Sequence, residues 1–309
     1  MEKFSSIDNI VGAIPEEEKE QILEEYAEKF DNQEFEVIKG KERQKTPEEI
    51  ELIDVANRLT DEVRTKYGLE SFPIPKENVH IIKKNEYPKG RAPAVYSQHH
   101  QAIVICEAPA SIAFMNKTLH EMIHMKSYNA LQVTTGKDSK LDVYRMGLGV
   151  KTRDGGYLYL NDLNEAVTEE IGIRLLGKLR EHPLIKKDIE YTRAFVRDRR
   201  EELTQRGKDL ITQDTFYVSA DEDGIFLTQF GRTKERAILG ALIEKIFDVN
   251  SDQFKDKEEI FDIFSRAMIT GHILQVGKLI DHSFGEGTLR KIAGLDGKLK
   301  EQREFVESL

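Results

Sequence analysis

His120-Glu121-Met122-Ile123-His124 is the stretch around which this chain is organised. Imidazoles four residues apart lie one above the other on a single face of a helix. From there both rings can reach one cation. Glu121 is turned aside from that line, so its carboxylate can hold a water on the cation without ligating it, the position of a general base. Ile112, Met115, Leu119 and Ile123 recur at helical spacing on the opposite side. That stripe predicts a helix over about 111–128 whose apolar face docks into a core. The plain alternative is a helical histidine pair with no ligand, because a lone H-E-x-x-H pattern also arises by chance.

A second polar set follows in Asn164-Glu165-Ala166-Val167-Thr168-Glu169. Leu163, Val167, Ile171, Leu175 and Leu176 mark a helix there, continuing to about Leu179, with Asn161 or Asp162 as its cap. A carboxylate on its first turns can face the neighbouring helix, so Glu165 is the candidate third ligand beside His120 and His124. Two imidazoles and a carboxylate leave a fourth position for water. Glu169, one turn on, can accept a hydrogen bond from the far nitrogen of a ligand histidine and fix its tautomer. The alternative for each is a solvated glutamate favoured near a helix N-terminus by the dipole.

His120-Glu121-x-x-His124 with Asn164-Glu165-Ala-x-x-Glu169 resembles the gluzincin, thermolysin-like branch of the zincin metallopeptidases. The resemblance covers about residues 94–180. It implies zinc, one ion per chain, on His120, His124 and Glu165, with Glu121 as general base and proton shuttle and Glu169 as partner of a ligand histidine. It implies hydrolysis of peptide bonds by a zinc-bound water that Glu121 activates. It also implies an edge strand before the motif helix that pairs with extended substrate, and Ala102–Cys106 stands in that position. The gap from His124 to Glu165 exceeds that of the family's compact members, and a hairpin over 143–160 fills much of it. Such sites often include a Tyr or His that stabilises the oxyanion. Tyr157, Tyr159, His182 and Tyr191 are the nearby residues, and none is singled out.

The rest of the chain bounds this reading. Its 309 residues suffice for one large domain or two moderate ones. Cys106 is the only cysteine, so an intramolecular disulfide and every multi-cysteine zinc site are excluded. A buried small hydrophobe is the simpler role for it than a catalytic thiol. The net charge is −10, and residues 1–60, with 17 acidic and 8 basic side chains, contribute −9 of it. Such a surface repels phosphate backbones, so nucleic acid is not an expected partner. No apolar run is long enough for a membrane helix and no secretory signal is visible, so the expected compartment is the cytoplasm.

Pro15 with Glu16–Glu18 opens a helix over 15–31, and Thr46-Pro47-Glu48-Glu49 opens another that Gly68 ends. A short strand over 35–38 lies between them. Val79–Ile82, Ala94–Ser97 and Ala102–Cys106 read as strands. So do 143–150 and 157–160, turned by Asp154-Gly155-Gly156. His182-Pro183 breaks the chain before a solvated, ion-paired helix over 184–206. A hairpin over 215–228 turns at Asp221-Glu222-Asp223-Gly224, an acidic turn without a calcium-loop pattern. Helices over 233–248 and 256–280 and a short helical tail complete the chain.

The expected architecture is α+β: a zincin-like core, with a small mixed sheet, the H-E-x-x-H helix and the Glu165 helix, carrying further helices at both ends. The expected divisions are an acidic helical region over 1–68, a metallopeptidase core over 69–206, and a hairpin with helical subdomain over 207–309. Residues 1–65 are also a candidate cover across the cleft. The expected partner is a peptide or protein substrate, with no nucleic acid and no membrane; oligomeric state is not legible. The alternative function is a zinc-containing regulatory or protein-binding module with little peptidase activity.

Overall fold

The computed structural model describes residues 5–32, 40–135, 140–199, 216–221 and 224–309. The strand expected over 35–38, the end of the helix expected over 184–206 and the middle of the acidic turn lie outside them. In chain order the elements are β1 (Asn9–Val11), α1 (Glu16–Asn32), α2 (Pro47–Lys66), β2 (Val79–Ile82), β3 (Ala94–Ser97), β4 (Ala102–Cys106), α3 (Ser111–Lys126) and β5 (Asn129–Val133). There follow β6 (Leu141–Met146), β7 (Gly149–Lys151), β8 (Leu158–Tyr159), α4 (Asn161–Gly177), α5 (Pro183–Asp198), β9 (Phe216–Asp221) and β10 (Gly224–Gln229). The chain ends on α6 (Thr233–Val249), α7 (Lys257–Thr270), α8 (Ile273–Phe284), α9 (Thr288–Ala293) and α10 (Leu299–Glu307). The architecture is α+β, with the helices packed around small sheets. No helix among the described residues is long and apolar enough to cross a membrane.

Local chemistry explains two of the helix starts. Thr46 and Glu49 form a reciprocal capping box at the start of α2, with Pro47 in the first turn. Asp256 accepts from the Glu258 and Glu259 amides to open α7. The motif helix α3 is buried on almost every side, and Met115, Leu119, Met122 and Met125 are fully enclosed. It packs on α2, α4 and α5, with β3 and β4 across its remaining flank. One hydrophobic core runs from Phe30 and the α2 residues Leu52, Ile53, Ala56 and Leu59 through α3 and α4 to Phe264, Ile280 and Val306.

Three sheets frame this core. β2, β4 and β3 form a three-stranded sheet in that order, β2 parallel and β3 antiparallel to β4. Ala102–Cys106 is therefore the central strand, and the edge expected there falls instead on β3. Placing β2 on the far side of β4 leaves only β3 with unpaired backbone beside α3. A five-stranded sheet runs β1-β5-β6-β7-β8, with β1 parallel to β5. β9 and β10 pair as an antiparallel hairpin.

Three local expectations are corrected, and two strands are added. The strand read over 143–150 is two strands, because Gly147 takes a left-handed conformation at φ 56° and reverses the chain between β6 and β7. A side chain there would collide with Asn164 Oδ1 and Met268. The helix read over 256–280 is broken at Gly271, φ 82°, which lies flat against the Tyr128 ring. Neither Asn161 nor Asp162 caps α4: Leu160 stands at the cap, and the Asp296 carboxylate, far away in sequence, accepts from the Asn161 and Asp162 amides at 2.9 and 2.8 Å. Finally, β1 and β5 were not legible as strands; they pair across more than a hundred residues, a distance that local patterning does not encode.

Candidate metal centre

The site is built where α3 crosses α4. His120 and His124, one turn apart on α3, place their Nε2 atoms 3.1 Å from each other. Glu165, on the second turn of α4, brings Oε2 to 3.2 Å from His120 Nε2 and Oε1 to 3.4 Å from His124 Nε2. These three side chains are the one group of metal-ligand type that converges among the described residues. The separations fit a cation: ligand bonds of about 2.0–2.1 Å arranged tetrahedrally place donor atoms about 3.3 Å apart. The donor set is nitrogen, nitrogen and oxygen, and it is buried. A group His120, His124, Glu165 can hold a metal ion.

Burial works against a charged His120, but hydrogen bonds to Glu165 and Glu169 outweigh it and lift its pKa to about 10. Burial would likewise raise Glu165, yet His124 and His120 hold its carboxyl well below the usual range. Without a metal, the imidazoles and Glu165 thus stabilise one another as a buried ion pair.

The partner residues are in place. His120 Nδ1 lies 2.7 Å from Glu169 Oε2, so the ring is held from its far side, and Asn116 donates to the other Glu169 oxygen at 3.2 Å. His124 Nδ1 is buried with no hydrogen-bond partner among the described residues. Asn164 does not touch the donors; its Oδ1 accepts from the Leu148 amide at 2.8 Å and ties α4 to the β6–β7 turn.

Glu121 is buried beside the donors and is not one of them. Its Oε2 accepts from the Tyr96 amide of β3 at 2.7 Å. Burial raises its pKa, against the pull of His120 and His124. A carboxylate tuned upward, fixed by one oxygen to a strand edge, is suited to take up and release a proton. The β3 edge itself is open. Pro93 O accepts from the Cys106 amide of β4 at 2.8 Å, whereas the Tyr96 amide faces away. By the alternation of a strand, the backbone groups of Ala94 share that outward side.

A cleft of about 520 Å³ lies over the site, lined by Ala94, Lys117, His120, Glu121, Tyr217 and Arg232 among others. No described residue of 1–65 lines it. Among the described residues of 1–65, α2 is part of the core behind α3, held there by its own apolar face, and does not cover the cleft. Tyr157, Tyr159, His182 and Tyr191 do not line the cleft either. The Tyr157 hydroxyl approaches Asp296 O at 3.5 Å, and His182 pairs with Glu51 at 3.2 Å. Burial raises the Cys106 thiol, as befits a small hydrophobe and not a nucleophile.

Sequence reading missed the far wall of the cleft, Tyr217, Phe230 and Arg232, which the β9–β10 hairpin and the start of α6 supply. One signal was available. Arg232 immediately precedes α6, where the helix dipole disfavours a cation, so an arginine there needs another reason. Comparison of the chain with protein-family models, with curated proteins and with solved structures returns no match.

Proposed function

We propose that this chain is a zinc-dependent peptidase with a zincin-like core. The observation that carries the proposal is the placing of Glu121: it is buried beside a His, His, Glu donor set, outside that set, and bonded to the open edge of β3. A purely structural metal site has no use for a carboxylate held in that position. Zinc is the favoured ion because two imidazoles and one carboxylate are the donors of known hydrolytic zinc sites, and the ion supplies a Lewis acid and a more acidic water.

The chain's own residues do the rest. An extended peptide lies along β3 and pairs with the outward backbone groups of Ala94. Glu121 takes a proton from the attacking water and passes it to the leaving amine. Glu169 holds the His120 ring so that Nε2 stays directed at the donor centre.

Purified protein is expected to hold about one zinc per chain. Glu121→Gln is expected to keep that metal and lose peptide hydrolysis by at least about a hundredfold. Metal analysis together with a fluorogenic peptide library, with and without chelator, decides the matter. Full activity in Glu121→Gln refutes the base assignment. Zinc bound tightly with no cleavage of any peptide favours the regulatory or protein-binding alternative.

A further inference from the structure

Among the described residues, Arg232 is the cation of the cleft that touches the donor set. Arg232 Nη2 lies 2.8 Å from Glu165 Oε2, the same oxygen that is 3.2 Å from His120 Nε2. Its Nη1 reaches Glu235 at 3.4 Å, a long contact. These two contacts occupy part of a planar group that carries five N–H donors. The side chain remains 40% exposed and lines the cleft with His120 and Glu121. Its backbone is left-handed, φ 57°, a conformation that the adjacent Gly231 would adopt at no cost. An arginine held in strained backbone at a cleft is a pointer to function.

Two other donors of the cleft are engaged elsewhere. Tyr217 hydrogen-bonds the Thr228 side chain, and its ring packs on Phe230 at a centroid separation of 5.5 Å. Lys117 Nζ donates to Cys106 O at 3.1 Å. Peptide hydrolysis also gains from a donor or cation fixed where negative charge develops on the carbonyl oxygen.

We propose that Arg232 is a catalytic residue of this site, receiving the negative charge that grows on the carbonyl oxygen of the bond being cut. The inference rests on the peptidase reading above. As water adds, a C–O bond forms, the carbonyl π pair moves onto the oxygen facing Arg232, and the water's proton goes to Glu121. When that pair re-forms the carbonyl, the C–N bond breaks and the amine leaves with the proton from Glu121. The products are a carboxylic acid and an amine, with no other reactant. A guanidinium suits the task because its fork can hold Glu165 and the substrate oxygen at once, which a lysine ammonium cannot do with the same geometry.

The test uses zinc-loaded full-length protein and the variants Arg232→Gln, Arg232→Lys and Arg232→Gly; the last relieves the backbone and guards against misfolding. Arg232→Gln is expected to lose about 10²–10³ in kcat with little change in KM. A phosphinic peptide of the substrate's sequence, a stable tetrahedral anion, is expected to lose about the same factor in affinity, whereas uncleaved peptide bound to Glu121→Gln is expected to change little when Arg232 is also replaced. Added guanidinium ion is expected to restore part of the activity of Arg232→Gly, and zinc affinity in chelator competition to stay within about tenfold of wild type. Unchanged kcat and phosphinate affinity in Arg232→Gln overturn the proposal. So does a defect that disappears at saturating zinc, which makes Arg232 only a support for Glu165. Wild-type protein that holds zinc and cleaves no peptide removes the peptidase reading and this inference together.

Discussion

Glu169 touches the candidate donor set without belonging to it. One oxygen faces His120 Nδ1 and the other accepts from Asn116, so the carboxylate is fixed at both ends and the imidazole with it. Glu169→Gln keeps the shape and removes the charge. It is expected to weaken zinc binding about 10–100-fold in a chelator competition, with the far-ultraviolet dichroism unchanged. Unaltered affinity would show that ring orientation is set by packing alone. This convergence was legible because i, i+4 spacing on one helix fixes a common face, so His120 with His124, and Glu165 with Glu169, carry their geometry in the sequence. Arg232 was not legible, because its pairing with Glu165 spans 67 residues and depends on where α6 begins.

At the scale of elements, the start of α4 is held from outside. Asp296, in the loop between α9 and α10, takes the place of a local cap by accepting from the Asn161 and Asp162 amides. Burial outweighs those two hydrogen bonds and, with the Asp162 carboxylate nearby, pushes the Asp296 pKa up to about 6 from 3.8. Between those values the folded chain keeps a proton that the unfolded chain has lost, so this group's contribution to stability falls as pH rises from about 4 to about 6. Asp296→Asn weakens the cap at every pH but lacks that fall. Relative to wild type the variant is therefore expected to recover about 1 kcal/mol between pH 4 and pH 6.5, a figure discounted because the carboxyl is half exposed. Denaturant melts of both proteins across that range measure it, and a difference independent of pH would sink the account. The error in reading β6 and β7 as one strand has the same origin as the missed cap. Gly147 was visible as a glycine, but only the crowding of Asn164 and Met268 against it makes the reversal obligatory.

At the scale of the molecule, the segments before and after the motif helices are structural parts of the site. α2 buries Leu52, Ile53, Ala56 and Leu59 in the core shared with α3. Deleting residues 1–65 is expected to abolish cooperative thermal unfolding and zinc retention together, where a detachable cover would leave both intact and raise turnover. At the other end, Glu170 of α4 binds Arg174 at 2.9 Å and Arg236 of α6 at 2.7 Å, which locks the helix bearing Glu165 to the helix that follows Arg232. Local patterning carried the α+β class, most helices and strands, and the gathering of His120, Glu121, His124, Glu165 and Glu169 at one place, because helical periodicity and short motif spacings are local properties. Only the tertiary structure decided that β3 and not β4 is the open edge, that Asp296 caps α4, that residues 47–66 sit behind the site, and that Arg232 faces it. Strand order, long-range caps and cleft walls arise from which surfaces the core brings together, and no spacing along the chain records that.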